Sequence, residues 1–142
     1  MTSTRPRAAP EAGQTTLFVI GIALVCFAVA GVAVDGTRAW LYRRSLQNAA
    51  DSAALAAAAE IDVNDYYRGR GEPGINVATA RIVAADWVAD TGLDVESGYA
   101  IDENGVVVGL RGRVRTTFLG LIGVQGLPVA VEARAEPRRG RP

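Results

Sequence analysis

Neither lysine nor histidine occurs among the 142 residues, and there is a single cysteine, Cys26. Without His, the commonest general base and metal ligand is missing. Without Lys, Schiff-base chemistry and a P-loop lysine are excluded. One Cys makes neither an intrachain disulfide nor a CxxC zinc site. Charge of either sign is not in excess. The 15 Arg balance 15 Asp plus Glu, which argues against a generally basic nucleic-acid binder. Asp, Glu, Ser, Tyr and Arg remain for acid–base work, but none falls in a spaced catalytic motif, so no enzyme, cofactor or metal site is expected.

The zero average hides a gradient. Residues 1–59 carry a net +2, residues 60–103 a net −7 and residues 104–142 a net +5. This reads either as a solvated surface or as acidic and basic faces that attract complementary surfaces.

From Gln14 to Val34 there are 21 residues without a charge, and Leu17 to Val34 is nearly all apolar. At 1.5 Å per residue such a run spans about 31 Å, the thickness of a bilayer's hydrocarbon core. The pattern predicts a transmembrane helix over 14–35 behind a cytoplasmic leader or tail at 1–13. Arg5 and Arg7 precede the run and Arg38, Arg43 and Arg44 follow it, so Arg counting alone does not orient it. The folding-competent sequence that follows favours a cytoplasmic amino terminus and an extracytoplasmic domain. A cleaved secretory signal is the rival reading, with small-residue patterns at Ala28–Ala30 and Gly31–Ala33. Cys26 reads as a small packing residue within the span.

Thr37 to Glu60 holds no Pro and no Gly, and predicts a helical extension over 36–61. Ala49, Ala53 and Ala57 fall four apart, as do Ala50, Ala54 and Ala58, with Leu46 and Leu55 extending the apolar surface. Small residues at this spacing allow close approach, either of the protein's own domain or of another subunit. Asp35, at the outer edge of the span, reads as a partner for a neighbouring charge or as a solvated carboxylate.

Residues 62–136 predict a small α+β domain and 137–142 a disordered basic tail. Asp62, Asn64 and Asp65 carry oxygen ligands close together, but no complete EF-hand loop surrounds them. Asn76 caps a second helix whose face is Val77, Ala80, Ala84, Trp87 and Val88, with Trp87 as a core anchor and Gly92 as the stop. Period-two patterns follow at Leu93–Ile101, Val106–Arg115 and Val129–Glu136, with Asn104-Gly105 turning between the first two. Arg111, Arg113 and Arg115 are expected to pair across strands with Asp94 and Glu96. Thr116–Gly126, rich in apolar residues, is expected to close the core as a short helix, with an exposed partner patch as the alternative. The sum is a pilin-like α+β fold: a long amino-terminal helix, a shorter helix and a three-stranded antiparallel sheet.

Val34-Asp35-Gly36-Thr37-Arg38 and the run Leu46-Gln47-Asn48-Ala49-Ala50-Asp51-Ser52-Ala53-Ala54-Leu55-Ala56 resemble the amino-terminal signature of TadE/TadG-like proteins of the Tad (Flp, type IVb) pilus systems. The resemblance covers about residues 12–60. It implies a non-catalytic, single-pass protein of the bacterial cytoplasmic membrane, with a pilin-like or accessory role in a pilus or related secretion apparatus. It implies membrane lipid and other Tad-system proteins or pilins as partners, with homo- or hetero-oligomers through the Ala-rich helix, and no nucleic acid. Pilin-type leader cleavage would fall between Gly13 and Gln14, although Phe18 stands where pilins carry Glu. A membrane-anchored binding or sensor module unrelated to pili is the alternative, motivated by the charge separation and the apolar 116–126 segment.

Overall fold

The computed structural model describes residues 11–62, 67–69 and 74–137. Most of the 1–13 segment, most of the 137–142 tail, and Asn64 and Asp65 of the oxygen-rich turn lie outside the described residues.

Helix α1 runs unbroken over Glu11–Ala58, 48 residues, or about 72 Å. Its first half is long and apolar enough to cross a membrane. From Leu17 to Val34 every residue is exposed except Gly31. The second half is amphipathic in a different sense. Its inward stripe is Gly31, Asp35, Tyr42, Leu46, Ala49, Ala50, Ala53 and Ala57, which are buried apart from half-buried Tyr42. Steps of three, four and seven, with Ala49 and Ala50 side by side, keep these positions on one broad face of a 3.6-residue helix.

Helix α2 spans Val77–Asp90. The Asn76 side chain caps it by accepting from the Thr79 amide at 3.1 Å, and Gly92 leaves it with φ +64°. Ala80, Ala84 and Val88 are its buried face. Trp87, expected as a core anchor, stands 50% exposed instead. It sits at the edge of the buried face made by Ala80, Ala84 and Val88, lining a surface groove with Ser45, Asn48 and Ser52 of α1.

Strands β1 (Glu96–Asp102), β2 (Gly105–Arg115) and β3 (Gly126–Ala135) form an antiparallel meander in the order β1-β2-β3. The β1–β2 turn is tied by Asp102 Oδ1, which accepts from the amides of Asn104 and Gly105, both at 2.8 Å. The register stacks Ile101–Val106–Ala135, Tyr99–Val108–Ala133 and Ser97–Leu110–Val131 as rungs. Val106, Val108 and Leu110 of the central strand are fully buried.

Both helices lie on one face of the sheet. The extension of α1 covers β2 and β3, and α2 sits beside it toward β1. The fold is thus α+β, with a long apolar helix emerging from a two-layer domain. The distal end is closed by backbone pairing of the residues that follow α1 with those that precede α2. The amide of Asn76 donates to Glu60 O at 2.8 Å, and that of Asp62 to Gly74 O at 2.9 Å.

Arg111, Arg113 and Arg115 project from the sheet face opposite α1, since the alternating positions Val108, Leu110 and Gly112 face it. The register sets Glu96 across from Arg111. Among the described residues, no ion pair within 4.0 Å joins Asp94 or Glu96 to these arginines; Arg134 and Glu136, neighbours on one strand face, make a loose one at 3.7 Å. Exposed side chains of this length keep more freedom and hydration unpaired than they gain from pairing.

Candidate functional site: the clasp between helix and domain

Residues 116–125 connect β2 to β3 and contain a 3-10 turn at Leu119–Ile122. The loop is internally braced. The amide of Val124 donates to Leu119 O at 3.0 Å, the Thr116 hydroxyl donates to Val124 O, and Gly123 turns the chain at φ +92°. No side chain of the loop caps the 3-10 turn. Its first amides therefore need an acceptor from elsewhere.

Asp35 is that acceptor. Its carboxylate, 1% exposed, takes three backbone N–H groups: Thr117 onto Oδ1 at 2.9 Å, Phe118 onto Oδ2 at 2.9 Å and Leu119 onto Oδ2 at 2.8 Å. It is not solvated, and its direct partners are backbone amides, with the Arg38 charge acting as a lesser contribution beside them. Three amides converging on a carboxylate are charge-assisted bonds, stronger than neutral ones, and together they fix the loop's distance and orientation on α1. Arg38, one turn along, adds a hydrogen bond from Nη1 to Thr117 Oγ1 at 2.6 Å.

One turn the other way, Gly31 completes the clasp. Phe118 lies directly on it, so that a Cβ added at Gly31 would sit 2.6 Å from Phe118 Cβ and 2.7 Å from its Cγ. Glycine is thus required there by close approach. A second close approach follows at Gly112, where the Tyr42 ring passes over the strand and its hydroxyl reaches Asp94 O at 3.5 Å. Gly31, Asp35, Arg38 and Tyr42 line one stripe of α1, and all four meet the domain.

The other residues singled out from sequence divide between two faces of α1. Leu46, Ala49, Ala50, Ala53 and Ala54 are buried in the chain's own core, against α2 and the sheet. Asn48, Asp51 and Leu55 point outward. Gln47 is half-buried and bridges, donating to Asp51 Oδ1 at 3.0 Å and to Glu132 O at 3.2 Å. The alanine face, open to either its own domain or another subunit on sequence grounds, is occupied by its own domain. Gly13 and Gln14 lie in the first turn of α1, with Gln14 exposed.

The signature helix and the clasp acceptor therefore belong to one segment. Residues 13–60 match the Tad family, "Putative Flp pilus-assembly TadE/G-like". The Tad match covers about a third of the chain and coincides with α1, from its apolar half through the Ala run. It bears out the resemblance read from Leu46–Ala56. It supports a role related to Flp pilus assembly, association with other proteins of that system, and a non-catalytic part in it. With the long apolar helix, it also fits a membrane-anchored protein. No curated protein and no solved structure matches the chain.

Proposed function

We propose that this protein is a single-pass, pilin-like accessory component of a Tad pilus apparatus, with its amino terminus cytoplasmic and its α+β domain outside the bacterial cytoplasmic membrane. The observation that carries this reading is the coincidence of the Tad match with α1, an exposed apolar helix continuous with an alanine-packed domain. The bilayer offers the apolar half of α1 a solvent in which every backbone group is already paired within the helix. The clasp at Asp35 then holds the domain close to the end of that half, so the domain is presented at a fixed attitude to neighbouring subunits. With the alanine face covered, assembly uses the outward face of α1, where Trp40, Leu41 and Leu55 are exposed.

The test is extraction of native membranes followed by affinity purification of the full chain. The expected result is resistance to carbonate washing and co-purification of other Tad-system membrane proteins. Release by carbonate, with the protein recovered alone from detergent, contradicts the proposal. The intact mass of the same preparation decides processing: a chain starting at Gln14 is a subunit able to leave the bilayer, and a chain retaining residues 1–13 is a permanent anchor.

A further inference from the structure

The loop that grips α1 is apolar where it faces away from it. Leu121 is 84% exposed and Ile122 75%, with Phe118 and Val124 partly exposed beside them. The expectation that this segment closes the core is not met. The core is already filled by Leu46, the alanines and the inner rungs of the sheet, so the loop is left outside it.

The position of the loop matters more than its composition. Phe118 rests on Gly31 and the Thr117–Leu119 amides bind Asp35, so the loop stands beside the last turn of the apolar run of α1. Its exposed side chains thus continue the exposed apolar surface of that run. Apart from Asp35, buried beneath the loop, the charges on the neighbouring stretches are of one sign. Between Gly36 and Ala50 on α1, and between Arg111 and Val131 on the sheet, there is no acidic residue, while Arg38, Arg43, Arg44, Arg113 and Arg115 all fall there. Trp40, exposed one turn beyond Asp35, carries the Arg44 guanidinium 5.9 Å from its ring centre. Apolar tips, a tryptophan and arginines at one end of an apolar helix form the pattern of a surface seated at lipid headgroups.

We infer that the Phe118–Val124 loop is a second membrane contact, inserting Leu121 and Ile122 into the headgroup boundary of the bilayer that α1 crosses while the flanking arginines meet lipid phosphates. The inference rests on the reading of α1 as a membrane span. The domain is then tied to the membrane at two points, the helix and the loop, with the Asp35 clasp joining them.

The test uses the full chain in vesicles of phosphatidylcholine and phosphatidylglycerol. In a Cys26→Ser background, an environment-sensitive fluorophore is placed singly at Leu24→Cys, Leu121→Cys and Asn104→Cys. Quenching is measured with lipids bearing a nitroxide either near the headgroup, to reach position 121, or deep on an acyl chain, to reach position 24, and with aqueous iodide. The expected result is that lipid quenches the labels at 24 and 121 and that iodide quenches only the label at 104. If iodide quenches the label at 121 as it does that at 104, while the label at 24 is quenched by lipid, the loop inference is overturned and the span stands. If the label at 121 is shielded from both quenchers, protein covers the loop and lipid is the wrong occupant. If lipid fails to quench the label at 24, the span itself is wrong and the loop inference falls with it.

Discussion

Asp35 Oδ2 accepts the Leu119 amide at 2.8 Å across 84 residues of chain. The bond joins the exit of the apolar helix to the loop between strands β2 and β3. It turns a helix with a domain attached at its far end into one body gripped near the end of the helix's apolar half.

Asp35→Ala removes the acceptor for three amides at once. Net loss for hydrogen bonds to a charged group runs about 1.5–3 kcal/mol, and a destabilisation in that range is expected. Asp35→Asn keeps one oxygen but turns an NH2 toward an amide N–H, so it too loses protection, by a smaller amount. Hydrogen exchange of the Thr117–Leu119 amides, with thermal melting in detergent, reads both. Unchanged protection in Asp35→Ala would remove the clasp from the account.

Gly31 is a steric prediction. Gly31→Ala forces Phe118 to move, at a cost of about 1–3 kcal/mol. Gly21→Ala, where nothing lies within 4 Å of an added Cβ, serves as the control and is expected to be silent. Phe118→Gly, which removes the Cβ at 2.6 Å as well as the ring, should relieve Gly31→Ala, so the double variant is less destabilised than the sum of the two singles. Strict additivity in that cycle would mean the two residues do not touch.

The two faces of the Ala run are expected to respond oppositely. Ala50 is fully buried and Leu55 is 68% exposed. Ala50→Leu overpacks the α1 interface and destabilises by about 1–3 kcal/mol or more. Leu55→Ser should leave the domain's stability within about 0.5 kcal/mol and affect only assembly. Denaturant titration separates the two.

At the start of α2, Asn76→Ala removes the acceptor for the Thr79 amide. A loss of about 1 kcal/mol is expected, with Asn76→Asp close to neutral. A midpoint shift in chemical denaturation measures it.

Much of the fold was legible because its signals are local. The uncharged run, the Asn76 cap and the Asn104-Gly105 turn each occupy a short stretch and match the expectation, and the three period-two strands do so with their starts shifted by up to three residues. The clasp was not legible. Asp35 finds its partners in backbone amides, which any sequence supplies, at a separation no local pattern encodes. Gly31 reads as one more small residue in a membrane helix until Phe118 is seen on it. Trp87 and the 118–124 loop were misplaced for a shared reason. Apolar character does not ensure burial here, because Leu46, Leu110 and the small alanines and valines already fill the core.

The measurement that bears most directly on the central claim is filament counting in a deletion strain of the native host, with the protein restored from a plasmid. A Tad assembly component predicts loss of surface filaments on deletion, recovery with the wild-type chain, and poor recovery with Asp35→Ala expressed at equal membrane levels. Normal filaments in the deletion strain would contradict it.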